Sequence, residues 1–451
     1  VVDSVVHWAV EYRVDGFRFD LMGHLPLKCM KRCREALDVL SLEEHGVDGP
    51  RLLLYGEGWE FGEVADGRRG VVSVQRELGG SGIGAFNDRI RDAALGGSPF
   101  TDPRTQGFAT GLAVRPWPED SGVDQGALEV QTRDLMVATD KIRVGMAASL
   151  KDFRISKDCV GNEEVAGIEV HGGGVAYAAA PVEAVNYVSA HDNETLYDNT
   201  VWKMPSSLFS SEERMRANWL CTSIIALSHG VPFFHAGDEL LRSKSLDRDS
   251  YNSGDWFNVL DFTGQRSAFG TGLPPREKNG EKWELMRPLL RDPTLRPTPE
   301  MVAASTAKFC ELLRVRDSTP LIGLTEAADV LARVSFPGCG PGATPGVAVM
   351  QTRNGPAAGG GPGAPSICSH LARVVVVLSG RFDEVRVPAP PGAGGENALP
   401  LQLHPLQAAS EDPQTRSARF DAEADELVVP PQAAAVFVEP LPGHEGWDGG
   451  P

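Results

Sequence analysis

Arg18 and Asp20 stand two apart in the run Asp15-Gly16-Phe17-Arg18-Phe19-Asp20-Leu21. On a strand, residues i and i+2 point to the same side, so this spacing sets a guanidinium beside a carboxylate at a strand end. A cation that close holds a carboxylate ionised, and an ionised, oriented Asp is a competent nucleophile. The plainer reading is a solvated Arg–Asp pair, which is ordinary at strand ends. A second carboxylate ends the run Leu52-Leu53-Leu54-Tyr55-Gly56-Glu57-Gly58-Trp59. Glu57 lies between two glycines, which admit close approach of backbone or ligand, with Trp59 next door. A carboxyl against an apolar surface keeps its proton more readily and serves as a general acid. A third run, Val185-Asn186-Tyr187-Val188-Ser189-Ala190, leads into His191-Asp192. Three apolar strands ending in Asp, Glu and His-Asp match a (β/α)₈ barrel, which presents catalytic groups from the C-terminal ends of several strands.

The elements that must position these groups read as an α/β chain. Apolar periodicity predicts a helix over 1–14, a strand over 16–21, a helix over about 24–41 and a strand over 52–57. The unalternating apolar run of the last suits a strand buried on both faces of a parallel sheet. The glycine-rich stretch 79–88 approaches a third short strand, and 88–95 starts a helix. The proline-bearing stretch 96–130 reads as a long loop. A strand over 187–190, an amphipathic helix over 212–229 and a last strand over 231–235 follow. This alternation indicates a parallel α/β fold. Beyond about residue 300 the texture changes to one helix (302–314), a Gly/Pro-rich loop near 338–365, and strands over 373–379, 426–430 and 433–439. The expected division is a barrel part over 1–300 and an antiparallel β-sandwich over 301–451.

The segments GFRFD (16–20), GEGW (56–59) and VSAHDN (188–193) resemble, in this order, the second, third and fourth conserved regions of the α-amylase superfamily of glycoside hydrolases. The downstream segments 235–239 and 243–258 are similar to its pullulanase and plant limit-dextrinase branch, which cleaves α-1,6 branch bonds. The resemblance implies Asp20 as nucleophile, Glu57 as acid/base and Asp192 as a third carboxylate that stabilises the oxocarbenium-like transition state. It implies Arg18 and His191 as substrate contacts, and His24 near the acceptor side. Trp59 and Phe100 are either sugar platforms or core aromatics, since an aromatic face suits both. Asn252 and Asp255 are candidates for a substrate-pocket wall, against the alternative of a solvated loop. No cofactor is required. The acidic side chains leave structural Ca²⁺ open, although no EF-hand spacing is present. The superfamily's first conserved region, Asp-x-x-x-Asn-His, has no match and is expected before Val1, with the early barrel strands and the N-terminal domains of the same protein. The reading is therefore of an N-terminally truncated barrel, with the strand carrying Asp20 as an exposed edge. The rival readings are an isoamylase or other superfamily enzyme, and a catalytically silent glucan-binding fragment.

Bulk properties narrow the partners. The chain has 451 residues, 41% hydrophobic and 23% charged, which is ordinary for a globular protein. A net charge of -18 disfavours nucleic acid and anionic membranes and is compatible with a neutral branched α-glucan. No apolar run is long enough to span a bilayer. Seven cysteines at irregular spacing suit a reducing compartment. Cys29 and Cys33 share a helical face without further ligands nearby, so no metal is assigned to them. The plant-type resemblance implies a plastid home; otherwise the cytoplasm is expected.

Overall fold

The computed structural model describes residues 1–355, 365–392 and 399–450. Helix Val2–Tyr12 leads into β1 (Gly16–Phe19), and helix Leu27–Asp38 returns the chain to β2 (Leu53–Gly56). The two strands pair in parallel, Gly16 opposite Leu53. A Cβ on Gly16 would lie 2.4 Å from the Leu53 carbonyl oxygen, so glycine is required for that approach. β3 (Gly84–Asn87) follows, then an antiparallel hairpin of β4 (Arg154–Lys157) and β5 (Glu163–Ala166), then β6 (Ala184–Asn186) and β7 (Val231–Pro232). The parallel sheet has the order β1-β2-β3-β6-β7. Among the described residues β1 pairs with β2 alone and β7 with β6 alone, so the sheet is open at both edges. Its middle strands β3 and β6 are fully buried, and its outer ones half-buried.

Helix Ser211–Ala226 begins at a capping box: Glu213 N–H donates to Ser210 Oγ, and Ser210 N–H donates to the Glu213 carboxylate. Every residue from Arg214 to Ala226 is buried, because this helix lies between helix Pro299–Asp317 and the second sheet. The helix expected over 212–229 as amphipathic is instead Ser211–Ala226 and buried all round from Arg214 onward, as a position between two packed elements requires.

The second half holds β8 (Val334–Ser335), β9 (Val347–Arg353), β10 (Leu371–Ser379), β11 (Val385–Pro388), β12 (Gln402–Leu403), β13 (Arg419–Asp421), β14 (Glu426–Val429) and β15 (Ala433–Pro440). They form an antiparallel sheet β12-β15-β10-β9-β8 and a smaller one, β11-β14-β13. Period-two alternation assigns the faces. Val349, Val375, Val377 and Phe437 pack against Val385, Val387, Leu427 and Val429 of the smaller sheet. Their neighbours Met350, Val374, Val376, Val436 and Val438 join the core built with Ile142, Leu220 and Ile224. Each such burial stabilises by about 1.5–3 kcal/mol, and two buried faces explain why 373–378 shows no polar alternation.

Several boundaries differ from expectation. The Gly/Pro-rich loop expected near 338–365 contains β9, and residues 356–364 of it lie outside the described residues. The strand expected over 187–190 ends at Asn186, so Tyr187 to Ala190 descend from it toward the site. The loop expected over 96–130 gives way at Leu128 to helix Leu128–Met146, which buries Gln131, Thr139, Asp140 and Arg143. Buried polar residues blur the apolar periodicity from which a helix is read.

Candidate active site

The C-terminal ends of β1, β2, β3 and β6 open into one cleft of ≈ 1340 Å³. Phe19 ends β1, and Asp20 follows directly with its side chain 69% exposed. Leu21 turns the chain at φ 46, which brings its N–H to Glu57 Oε2 at 2.6 Å. Glu57 follows the end of β2 and is 5% exposed. Its main chain is fixed on both sides: its N–H donates to Phe19 O at 3.1 Å, and its carbonyl accepts from Gly23 N–H at 2.7 Å.

Arg18 joins the two carboxylates. Its Nη1 donates to Asp20 Oδ1 at 2.9 Å and its Nη2 to Glu57 Oε1 at 2.7 Å. The i, i+2 pairing of Arg18 with Asp20 is as the spacing predicts. The surround of Glu57 is not: a cation and a backbone N–H hold its oxygens, where apolar contact with Trp59 was expected. Arg18 is itself placed over the Phe86 ring, 5.9 Å from its centroid.

Phe86 is the centre of an aromatic floor. It meets Tyr55, Tyr187 and Phe233 edge-on at 5.6, 5.1 and 5.2 Å, and stacks with Trp59 at 6.4 Å. Trp59 lines the cleft half-buried. Phe100 stands on the rim, 93% exposed. The rim is held from two directions. Lys203, buried, donates from Nζ to the carbonyls of Gly96, Pro103 and Thr105, and burial pulls its ammonium down to about 8. Arg248 donates to Pro99 O at 3.0 Å.

His191 and Asp192 reach the cleft with exposed side chains, His191 Nε2 lying 3.6 Å from Asp192 Oδ1. Lys244 Nζ holds the His191 carbonyl at 3.0 Å. Lys244 is placed in turn by Asp198, a buried carboxylate accepting from Ser243 Oγ, Lys244 N–H and Leu246 N–H. Burial raises Asp198 to about 6.

The cleft thus gathers Arg18, Asp20, Glu57, Trp59, Phe100, His191 and Asp192. Three of the expected residues are elsewhere. His24 bonds Glu63 at 3.1 Å and packs edge-on against Phe61 at 4.7 Å; Phe61, not His24, lines the cleft. Asn252 and Asp255 are exposed and do not line it. Their tract contributes Arg248 and Asp249 instead, because the backbone turn fixed by Asp198 points the start of the tract inward. Phe86, Lys203 and Arg248 were not anticipated. A strand-end aromatic in Gly84-Ala85-Phe86-Asn87 was the available signal for the first.

Residues 264–440 match the family of alpha-1,6-glucosidases, pullulanase-type, C-terminal. Over 442 residues the chain is 46% identical to "Pullulanase 1, chloroplastic" of Arabidopsis thaliana, covering 97% of this chain and 44% of that protein. It is 35% identical over 373 residues to a pullulanase of Klebsiella aerogenes, covering 81% of this chain and 32% of that one. The crystal structure of Klebsiella pneumoniae pullulanase complexed with maltotriose superposes with a TM-score of 0.83 at 30% identity, over 98% of this chain and 39% of that one. The chain therefore spans less than half the length of these relatives.

Proposed function

We propose that this chain is part of a pullulanase-type enzyme and that its cleft hydrolyses α-1,6-glucosidic branch links of pullulan, amylopectin and limit dextrins with retention of configuration. The observation that carries the reading is the single guanidinium of Arg18 binding both Asp20 and Glu57 at the mouth of the cleft. Retaining glycosidases need two carboxyl groups about 5–5.5 Å apart, and a shared cation keeps two such groups together. Asp20 attacks the anomeric carbon while Glu57 gives its proton to the leaving oxygen. Water, deprotonated by Glu57, then cleaves the glycosyl ester. To act as acid, Glu57 must carry a proton, so one of its oxygens releases its donor and turns an O–H toward the substrate. Asp192 and His191 face the sugar hydroxyls, where bonds that strengthen in the transition state lower the barrier. Trp59 and Phe100 offer apolar faces to glucose rings.

In the same reading the five parallel strands are the later part of a (β/α)₈ barrel within residues 1–300, and residues 301–451 are its β-sandwich domain. The greater length of the relatives supplies chain for the strands that would pair along the free edge of β1. An unpaired edge invites aggregation. Residues 1–451 alone are therefore expected to be poorly soluble and silent on pullulan, and a form extended upstream to release maltotriose-sized products as the α-anomer. A soluble 451-residue monomer that cleaves pullulan would show the barrel to be complete without further strands. Cyclodextrin affinity without turnover in the extended form would favour a glucan-binding role, and preference for glycogen over pullulan an isoamylase. A plastid location is proposed from the Arabidopsis relative's name, tested by imaging a fluorescent fusion of the complete gene product.

A further inference from the structure

Outside the cleft, three elements bring different ligand types to one point. Helix Leu128–Met146 supplies Asp140, the turn between β4 and β5 supplies Cys159, and the 3₁₀ turn Val170–Gly172 supplies His171. None of the three lines the cleft. A carboxylate oxygen of Asp140, Cys159 Sγ and a ring nitrogen of His171 all lie within 4.8 Å of one another. His171 Nε2 is 3.2 Å from Asp140 Oδ2 and 3.9 Å from Cys159 Sγ. One ring nitrogen thus faces both partners. That differs from a hydrolytic triad, in which the two ring nitrogens each serve one partner.

The spacing suits a shared metal ion. Tetrahedral zinc with bonds of about 2.3 Å to sulfur and about 2.0–2.1 Å to nitrogen and oxygen separates N from O by about 3.4 Å and S from N by about 3.6 Å. The N–O and S–N distances are each within a few tenths of an ångström of that edge, and the sulfur lies within 4.8 Å of a carboxylate oxygen. The carboxylate is already oriented: Arg143 Nη1 donates to its Oδ1 at 2.6 Å, leaving Oδ2 toward the other two ligands. Oδ2 also accepts from Cys159 N–H at 2.8 Å, which uses one lone pair and leaves another. An orienting partner behind a ligand is a common feature of metal sites. His171 is delivered from a backbone at φ 52, in the left-handed region, where a residue without a branched side chain is tolerated at some cost. One thiolate, one imidazole and one carboxylate favour a borderline ion over a hard one such as Ca²⁺ or Mg²⁺.

We propose that Asp140, Cys159 and His171 form a zinc site that ties the β4–β5 hairpin and the Val170–Gly172 turn to helix Leu128–Met146, with water as fourth ligand. The test uses the longest soluble form of the protein that contains this chain, stripped with chelator and titrated with Co²⁺ as the spectroscopic substitute for Zn²⁺. The expected result is a thiolate-to-cobalt charge-transfer band that saturates at about one equivalent and is displaced by Zn²⁺. Cys159→Ser should abolish the band, and His171→Ala should weaken Co²⁺ binding by at least about tenfold. Zn²⁺ should raise the melting temperature of the parent protein and leave that of His171→Ala unmoved. Six other free thiols are present, so a band that survives both substitutions would place the metal elsewhere and overturn the proposal. Absence of a band, with no thermal shift on adding Zn²⁺, would overturn it as well and leave a hydrogen-bonded cluster.

Discussion

β1 and β10 are both strands of mainly apolar sequence, and they differ sharply in burial. All four residues of β1 are half-buried, and one neighbour, β2, pairs with it. Eight of the nine residues of β10 are buried, with β15 and β9 on either side. The candidate nucleophile hangs from the end of the first, and no candidate catalytic group from the second. A group that attacks substrate must be reachable, so it belongs where few neighbours cover it. Stability has the reverse requirement. The molecule separates the two, and substitutions in the two regions should have separable effects.

The largest expected effect tests that separation from the exposed side. In the upstream-extended form, which all these activity tests use, Asp20→Asn should lower hydrolysis of pullulan by at least about a thousandfold, while the melting curve moves little, because exposed positions change stability by about 0.5 kcal/mol or less. Comparable losses in both measurements would mean that β1 carries the fold as well as the chemistry. Glu57→Gln should cost about 10²–10⁴ in rate on natural glucans and far less on aryl glycosides with activated leaving groups. Equal losses on both substrates would assign Glu57 a structural part through its bonds to Arg18 and Leu21.

From the buried side, Phe437→Ala should destabilise by about 3–5 kcal/mol, since Phe437 is fully buried between the two antiparallel sheets. Its kcat, measured below the new melting temperature, should equal that of the parent protein. A fall in kcat would show that the sandwich shapes the cleft.

Acid and base should also distinguish the regions. His404, in the sandwich half, accepts from Leu406 N–H and bonds Ser318, and burial pulls its imidazole down to about 4. An unfolded imidazole titrates near about 6.5, so between these values the unfolded chain binds more protons and stability falls as pH drops. Asp238, beyond β7, accepts from Ser189 Oγ and His235 N–H, and burial raises it to about 7. Between about 4 and that value the folded chain binds more protons, so stability falls as pH rises. Urea midpoints measured across this range should lose the first slope in His404→Gln and the second in Asp238→Asn. Unchanged slopes would remove both groups from the account. The smallest expected effects belong to Asn252→Ala and Asp255→Ala, both exposed outside the cleft. Each should change kcat/KM by less than about twofold, and a loss beyond tenfold would restore them to the pocket wall.

The residues at strand ends were legible because their chemistry is local. Arg18 and Asp20 need only a strand between them, and the apolar run before Glu57 supplies its own, whereas the strand before His191 was expected over 187–190 and is formed by Ala184–Asn186. β10, β14 and β15 were legible for the same reason. Helix Leu128–Met146 was not, because Asp140 and Arg143 satisfy each other inside the core and so look like surface residues in a sequence. β9 was hidden among glycines and prolines whose local preference opposes a strand. Lys203 acts through carbonyls about 100 positions away, and no spacing rule reaches that far. Asn252 and Asp255 were misplaced because which part of their tract turns inward depends on Asp198, almost fifty residues earlier.

The grip of Lys203 on Gly96, Pro103 and Thr105 bears on how a glucan would be received. Phe100 is almost fully in water, yet the chain on either side of it is anchored, by Lys203 below and by Arg248 at Pro99. An exposed aromatic on a loose loop loses conformational freedom each time a ring settles on it. Here that freedom has already been given up when the protein folds, so in the proposed reading a ring stacking on Phe100 would keep nearly all of its contact free energy. The branch arm of a glucan would meet a shelf already in place, and discrimination between arm lengths would follow from where the shelf stands.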